Sequence, residues 1–402
     1  MAMVICNSEV KIEINFPMEI IESILLRSQA KSVVRFKCVC KSWLSLISNP
    51  IFMKDHHKRQ VTHTIQAVGR FGGMVCSSHS SKHFDQISSN IFPNDKYKME
   101  NPHMAFVGCD HGVVCLVDNF THVYLWNPAI GNHKKLPESH PLKGICKSQT
   151  LFGFGYEPLT NDFKVVAARS CEGNHILLDD RKLWVFQKFF IRGEQIAVYS
   201  LKNNSWKSLV MPDLFSIDQH DGDKGDTKLF TSVCYMVSVV VSGSIHWLIS
   251  FEQRRSSSVE KLGIVAFDLS SEEFKLITPP STLNDKRIWN TSICNLSGCL
   301  SLITTPGPSS CIDIWVMKKY GMSDSWAKYI SVDLGNQLVK SFPLGVSQNG
   351  NLLLESTSVG ELRKDRYTSI YDPKSKTIQH VGKGERGSKP NFATYAESIF
   401  LS

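Results

Sequence analysis

The sequence predicts an α+β chain, in which a small N-terminal module of three helices precedes a large all-β domain, a β-propeller of six or seven blades. Two observations support this fold class. Apolar residues recur at helical spacing between residues 16 and 52. From about residue 61 onward, short β-rich runs alternate with clusters of Gly, Pro, Asn, Asp and Ser. An irregular β-sandwich is the alternative for this second part.

The three helices of the module are expected to be strongly apolar. Ile20 and Ile24 are four residues apart, so they lie on one face of the first helix. The second and third helices are apolar around most of their circumference, and Asn49-Pro50 is expected to end the third. A helix of this kind belongs in a core or an interface. About forty residues are too few for an independent core, so the module is expected to dock on the propeller or on a partner.

An ordered set of motifs runs through these helices. The set consists of Phe16-Pro17 before an Ile/Leu helix, Val34-Arg35-Phe36, Val39-Cys40-Lys41-Ser42-Trp43, Ile47 and Pro50-x-Phe52. It resembles the F-box, the motif that binds the Skp adaptor of cullin–RING ubiquitin ligases. The chain departs from the usual pattern at Phe16, where Leu is common. It departs again at Ser28-Gln29, where a Leu-Pro is usual, and the expected consequence is a weaker adaptor contact.

The resemblance implies which residues bind the adaptor. They are Phe16, Pro17, Ile20, Ile24, Leu25, Lys31, Val34, Arg35, Val39, Cys40, Lys41, Trp43 and Ile47. Part of this set is expected to contact the adaptor and part to pack the helices together. The alternative is that the helices only cover the following domain.

A weak repeat runs through the all-β part. In each copy, a large side chain ends one β-rich run, a turn rich in Pro, Asn, Asp or Ser follows, and another large side chain begins the next run. The pairs are Trp126/His133, Tyr156/Phe163, Tyr199/Trp206, Phe267/Phe274, Tyr371/Ile378 and, with a longer turn, Trp315/Trp326. The two residues of a pair are expected to face each other across a hairpin. One hairpin cannot bury its own face, so the copies are expected to stack as blades.

A second ordered set of motifs follows these hairpins. It consists of Leu125-Trp126-Asn127-Pro128, Gly153-Phe154-Gly155-Tyr156-Glu157-Pro158, Val198-Tyr199-Ser200-Leu201, Gly243-x-Ile245-His246-Trp247-Leu248, Phe267-Asp268-Leu269-Ser270 and Ile314-Trp315-Val316-Met317. In this order the motifs resemble the plant F-box-associated, kelch-like domain, and the last is similar to its S-locus F-box branch. The resemblance implies a flexible N-terminus over 1–14, an F-box over 15–60, a substrate-binding propeller over 61–385, and a tail or closing strand over 386–402.

Together the two resemblances imply a non-catalytic substrate receptor of an SCF-type ubiquitin ligase. Its expected partners are a Skp-type adaptor, a cullin and a RING subunit bound indirectly, and an unknown target protein that is ubiquitinated for proteasomal degradation. No cofactor, metal or catalytic residue is implied, and the target-binding residues stay unknown. Two rivals remain. One is a Skp-binding protein that acts outside any ligase, and the other is a propeller enzyme or carbohydrate-binding module.

Composition argues against other classes of partner. The net charge of +8 is spread thinly, without a Lys/Arg-rich run, so neither nucleic acid nor a membrane surface is expected to bind. No apolar run approaches the ~18–20 residues of a membrane span. The twelve cysteines have no framework spacing and no secretory signal is recognised. They are therefore expected to be reduced, in a cytoplasmic and/or nuclear protein.

Sequence motifs for cofactor binding or metal binding are weak. Gly153-Phe154-Gly155 lacks the third glycine and the helix of a dinucleotide fingerprint. Cys109-Asp110-His111 with Cys115 is the best metal candidate, but a second ligand pair is missing, so core cysteines are expected. His246 and the repeat tryptophans are expected in the blades. The segments that leave the repeat pattern are candidates for target binding: 72–102, 138–147, 171–188, 213–228 and 252–261.

Overall fold

The N-terminal module contains four helices rather than the expected three. In the computed structural model they are α1 (Met18–Leu25), α2 (Ala30–Phe36), α3 (Lys41–Ile47) and α4 (Pro50–Arg59). The third helix ends at Ile47, just before Asn49-Pro50, as predicted. The prediction of only three helices was wrong, because a fourth begins at Pro50. Proline is tolerated at the first position of a helix, where its missing N–H leaves no bond unmade. The side-chain Oδ1 of Asn49 accepts a hydrogen bond from the N–H of Ile51 at 2.8 Å and caps the fourth helix.

The structure describes only part of the chain. The described residues are 2–7, 10–70, 73–79, 86–92, 104–118, 122–138, 150–169, 176–177, 186–189, 196–209, 231–232, 238–252, 260–283, 291–304, 311–333, 341–346, 350–357, 366–383 and 390–402.

Strands make up most of the rest of this described part. In chain order they are β1 (Ala2–Asn7), β2 (Val10–Asn15), β3 (Thr62–Arg70), β4 (Gly73–His79), β5 (Gln86–Ile91), β6 (Met104–Asp110), β7 (Val113–Asp118), β8 (His122–Asn127), β9 (Asn132–Lys135), β10 (Thr150–Glu157), β11 (Asp162–Arg169), β12 (Ile176–Leu177), β13 (Phe186–Phe189), β14 (Ile196–Ser200), β15 (Ser205–Leu209), β16 (Thr231–Ser232), β17 (Val239–Val241), β18 (Ser244–Glu252), β19 (Glu260–Asp268), β20 (Phe274–Ile277), β21 (Thr291–Leu296), β22 (Cys299–Thr304), β23 (Cys311–Met317), β24 (Trp326–Asp333), β25 (Ser341–Val346), β26 (Leu352–Thr357), β27 (Arg366–Asp372), β28 (Thr377–Lys383) and β29 (Pro390–Ala396).

Twenty-four of these strands form six antiparallel sheets of four strands each, whereas β1 and β2 form a separate pair and β12, β13 and β16 form a three-stranded sheet. In hydrogen-bonding order, sheet I is β29-β3-β4-β5, sheet II is β6-β7-β8-β9, sheet III is β10-β11-β14-β15, sheet IV is β17-β18-β19-β20, sheet V is β21-β22-β23-β24 and sheet VI is β25-β26-β27-β28. The first strands of successive sheets contact one another around a closed ring, from β29 through β6, β10, β17, β21 and β25 back to β29. This confirms a helical module followed by a β-propeller and excludes the irregular sandwich.

Five of the six predicted hairpin pairs are confirmed. Trp126 faces His133, Tyr156 faces Phe163, Tyr199 faces Trp206, Phe267 faces Phe274, and Tyr371 faces Ile378. The sixth pair was wrong, because Trp326 faces Met317 and Trp315 faces Lys328. A short 3-10 helix (Ser323–Ser325) lengthens this turn, and an irregularity between Ile314 and Trp315 shifts the register.

Apolar side chains from neighbouring sheets fill the spaces between them. Sheets II and III share a core that includes Leu125 and Tyr199, and sheets III and IV share one that includes Val166 and Trp247. Sheets IV and V, and sheets V and VI, are joined in the same way. Because each core needs two sheets, no sheet is stable on its own, and the ring is the stable unit.

The ends of the propeller sequence meet in sheet I. The strand β29 pairs with β3 over seven residue pairs, from Pro390 opposite Val68 to Ala396 opposite Thr62. The strand β29 therefore closes sheet I. Before the helices, β1 and β2 pair as antiparallel strands. They occupy most of the segment 1–14 and extend to Asn15. Flexibility of that segment stays a prediction.

Candidate functional site

The helical module has a buried side and an exposed side. Its buried core consists of Ile21, Leu25, Leu26, Ala30, Val33, Ile47 and Phe52, together with Ile399 from the far end of the sequence. Its exposed side carries seven large apolar residues, which we call the apolar face: Phe16, Met18, Ile20, Ile24, Val39, Leu44 and Ile51. Ile24 is 58% exposed and Ile51 is 70% exposed. This many exposed apolar side chains on one small module indicate an interaction surface.

The predicted adaptor-binding residues divide between these two sides. The exposed members are Phe16, Pro17, Ile20, Ile24, Lys31, Arg35, Val39 and Lys41, and the partly exposed members are Val34, Cys40 and Trp43. Leu25 and Ile47 are buried in the module's core, so they hold the helices together and do not reach the surface. The prediction that the whole set binds an adaptor is not tested by this geometry.

Sequence reasoning left three members of the apolar face out of the candidate set. Met18 and Leu44 belong to helices that were predicted, and only the helix rotation shows that they point outward. Ile51 lies in α4, which was not predicted. The usable signal was the Asn49-Pro50 cap, since a capping residue followed by proline is typical of a helix start.

Trp43 connects the second and third helices. Its ring meets the ring of Phe36 edge-on, with 5.7 Å between the ring centroids. The indole N–H of Trp43 is buried and has no acceptor among the residues that the structure describes. A buried donor without an acceptor is costly, so this position favours completion by an outside group.

The turn between α1 and α2 departs from the usual motif at Ser28-Gln29, but its geometry is kept. Gln29 has a φ of −60°, which lies within the range that a proline ring would fix. The carbonyl of Ser28 accepts a hydrogen bond from Nε2 of the buried His56 at 2.8 Å. A histidine from α4 therefore holds the turn that a Leu-Pro usually stiffens.

Charge around the apolar face is mainly positive. Residues 16–52 contain five Lys or Arg and two Glu. Lys31, Arg35 and Lys41 are exposed. Beside them, the hydroxyl of Ser42 lies 3.1 Å from the Cys40 thiol and lowers the pKa of that thiol. The exposed part of the module thus carries cationic residues as well as the apolar face. We call these cationic residues the cationic rim: Lys31, Arg35 and Lys41.

The residues considered for chemistry have structural roles. Cys115 is buried in the core between sheets II and III, and burial raises the pKa of its thiol and that of Cys109. His246 is buried, with Nδ1 at 3.1 Å from the carbonyl of Val239 and Nε2 at 2.8 Å from the hydroxyl of Tyr320. No group of three potential metal ligands occurs among the described residues.

The repeat tryptophans connect neighbouring sheets. The indole N–H groups of Trp206, Trp247 and Trp326 donate to the carbonyls of Pro137, Phe152 and Thr278, at 2.7, 2.8 and 3.0 Å. Gly153 makes room for one of these rings, because a Cβ there would lie 2.1 Å from Cζ2 of Trp247. The glycine pattern therefore serves packing between sheets III and IV.

The candidate target-binding segments lie largely outside the described residues. The segment 213–228 falls there completely, and 72–102, 138–147, 171–188 and 252–261 do so in large part. In the described part of the chain, none of the helices is both long and apolar enough to cross a membrane.

Two protein families match the chain. The F-box associated beta propeller domain matches residues 63–398, and the F-box domain matches residues 14–55. An F-box/kelch-repeat protein of Arabidopsis thaliana is 28% identical over 355 residues, which cover 86% of this chain and 86% of that protein. The F-box protein CPR1 of the same plant is 28% identical over 337 residues, covering 81% and 75%.

Proposed function

Because the chain belongs to the F-box proteins that carry an F-box-associated β-propeller domain, we propose that it is the substrate-recognition subunit of an SCF-type cullin–RING ubiquitin ligase. In this role the helical module binds a Skp-type adaptor, which connects it to the cullin and RING subunits. The propeller recruits a target protein for ubiquitination and proteasomal degradation. The chain is a receptor without catalysis of its own.

The apolar face is the observation that carries this proposal. Phe16, Ile20, Ile24 and Val39 are 40% to 58% exposed on helices whose opposite side is fully packed. Burying a side chain of this kind contributes about 1.5–3 kcal/mol when it is complete. These four side chains are about half exposed, so an adaptor that covers them gains about half of this contribution from each.

The cationic rim favours an acidic adaptor surface. Lys31, Arg35 and Lys41 are exposed on the same helical module as the apolar face. Exposed charges add little affinity on their own, but complementary charge speeds association and selects the partner. We therefore assign recognition to the rim and most of the affinity to the apolar face.

The propeller has the construction of a rigid target holder. We propose that each of its six four-stranded sheets is one blade and that loops at the ring's edges contact the target. A receptor of this kind accelerates ubiquitin transfer by raising the effective concentration of target lysines near the charged enzyme. All cysteines whose side chains the structure describes are free, which supports a cytoplasmic or nuclear location.

Co-expression with a plant Skp-type adaptor and a cullin tests the proposal. We expect one complex of all three chains on size exclusion, with each chain identified by mass spectrometry. The Ile24→Asp variant is the control, since it alters the apolar face and leaves the buried side intact.

The outcomes separate the remaining hypotheses. A wild-type chain that elutes alone would refute the proposed function and direct attention to sugar or small-molecule binding by the propeller. A complex with the adaptor that never includes the cullin would support a Skp-binding role outside a ligase. Retention of the full complex by Ile24→Asp would show that the apolar face is not the contact.

A further inference from the structure

Residues 397–402, which we call the docking segment, lie between the helical module and the propeller. The segment follows β29 directly. Ile399 is fully buried in the core of the helical module. The next residue, Phe400, is buried in the core between sheets II and III. Its ring centroid is 5.3 Å from that of Tyr156 and 5.4 Å from that of Phe163.

Hydrogen bonds fix the backbone of the docking segment to the propeller. The side-chain Nδ2 of the buried Asn127 donates to the carbonyls of Ser398 and Phe400, each at 2.9 Å. The Nδ2 of Asn132 donates to the carbonyl of Leu401 at 3.0 Å. Both asparagines flank the turn between β8 and β9, so sheet II holds the segment at Ser398, Phe400 and Leu401.

The helical module binds the other side of the same segment. His57 Nδ1 lies 3.1 Å from the carbonyl of Glu397, and the Nζ of Lys37 donates to the hydroxyl of Ser402 at 2.7 Å. The covalent link between the module and the propeller is short, since α4 ends at Arg59 and β3 begins at Thr62, and it is exposed to solvent. It passes through Val61, which is 70% exposed.

We infer that the docking segment is the positioning element that fixes the adaptor-binding module on the propeller. Ile399 anchors the module and Phe400 anchors sheets II and III, so the two consecutive residues join two separate cores. The consequence for ubiquitin transfer rests on the proposed function. Once the module is fixed on the propeller, a bound target has one orientation relative to the ligase, and fewer of its lysines come within reach.

Limited proteolysis of the full chain with trypsin tests this inference. Lys58 and Arg59 are exposed at the end of α4 next to the link, and cleavage there becomes faster when the helix leaves the propeller and its last turn unwinds. We expect Ile399→Ala to raise the cleavage rate at these two sites by about tenfold or more. Phe400→Ala should also raise the cleavage rate, because it removes the anchor of the segment in the propeller core. Ile24→Ala is the matched control, because it makes the same change on the exposed face.

The pattern of fragments decides the result. A cleavage rate for Ile399→Ala equal to that of Ile24→Ala would overturn the inference. Equally fast cleavage at Arg27, Lys31 and Arg35 would overturn it too, because the module would be unfolding rather than undocking.

Adaptor binding supplies a second readout. Both docking variants should keep the wild-type adaptor affinity within about threefold, because the apolar face is unchanged. A loss confined to Ile399→Ala would assign Ile399 to module stability and contradict a positioning role. A wild-type chain that binds no adaptor would refute the proposed function, while the proteolysis result would still decide the docking.

Discussion

Ile24 and Leu25 are consecutive residues of the first helix, yet Ile24 is exposed and Leu25 is buried. Ile24 is 58% exposed, whereas Leu25 is 1% exposed and packs in the module's core. A substitution at each position therefore probes a different property. Ile24 tests partner binding, and Leu25 tests the stability of the module.

The Ile24→Asp variant should lose adaptor binding without loss of stability. A carboxylate in the centre of an apolar contact costs about 3 kcal/mol or more, which is about a 100-fold loss of affinity. Isothermal titration calorimetry with a purified adaptor measures this loss, and thermal unfolding monitors the fold. Trp43→Ala is expected to abolish adaptor binding as well, while the propeller stays folded.

Two variants serve as controls for this result. Ile91→Asp makes the same exchange at an exposed position of sheet I, 69% exposed, and should leave the affinity unchanged. Leu25→Asp should unfold the module, because it places a charge in the core. Tight adaptor binding by a folded Ile24→Asp variant would contradict the assignment of the apolar face.

Lys164 joins sheets III and IV by a buried ion pair. Its Nζ lies 2.8 Å from Oε1 of Glu272 and 2.6 Å from the carbonyl of Leu269, and its side chain is 9% exposed. Replacement by Met leaves the carboxylate and the carbonyl without this partner. We expect Lys164→Met to lower the free energy of unfolding by about 3 kcal/mol in urea denaturation.

Lys207 provides the comparison, since it pairs with the same carboxylate from the surface. Its side chain is 58% exposed, and exposed pairs contribute up to about 1 kcal/mol. Lys207→Met should therefore have a much smaller effect than Lys164→Met. Equal effects would mean that burial of the Lys164 pair does not determine its contribution.

Stability is expected to fall in mild acid because of two histidines, the partly buried His57 and the buried His246. Burial lowers the pKa of His57 to about 4, with a further contribution from the neighbouring His111, and burial lowers the pKa of His246 to about 4. Between this value and the ordinary pKa of about 6.5, the unfolded chain binds more protons than the folded one. The stabilisation is complete above about pH 6.5 and is lost as the pH falls toward 4.

Urea denaturation at pH 7.5 and pH 5.0 measures this dependence. Each histidine should account for a loss of about 2 kcal/mol at pH 5, since one pKa unit corresponds to about 1.4 kcal/mol. His57→Gln and His246→Gln should each reduce the difference between the two pH values. An unchanged difference in both variants would show that other groups cause it.

Gly153→Ala should destabilise the propeller. The added Cβ would lie 2.1 Å from the Trp247 ring and 2.8 Å from Cγ2 of Ile245, both in sheet IV. Overpacking of this kind costs about 1–3 kcal/mol, and the rigid indole has little room to move. Thermal unfolding measures the loss. Gly131→Ala is the control, because a Cβ there would meet no atom within 4 Å and would add only backbone strain. An equal loss of stability in both variants would contradict the packing explanation.

The sequence predicted local structure better than it predicted long-range contacts. The pairing of Tyr156 with Phe163 follows from the residues of one short turn, and the structure has the same register. The pairing of Trp315 with Trp326 failed, because a 3-10 helix and a register shift changed the spacing. Local patterns determine a hairpin only where the turn has its usual length.

Sequence-based prediction had the same limit at the candidate adaptor-binding site. Helical spacing identified Ile20 and Ile24 as apolar, but it did not separate them from Leu25, which the fold buries. Ile399 completes the core of the module across more than three hundred residues. No local pattern connects such distant positions, so this contact was accessible only from the structure.

The contribution of Ile399 to the first module also orders events during protein synthesis. A ribosome makes residues 16–59 early, yet the core of their module lacks Ile399 until the other end of the propeller has been translated. The propeller ring also stays incomplete until β29 has been made, because β29 pairs with β3 and closes sheet I. The nascent chain therefore completes the core of the helical module and the propeller ring at about the same time, after residues 390–399 have been translated.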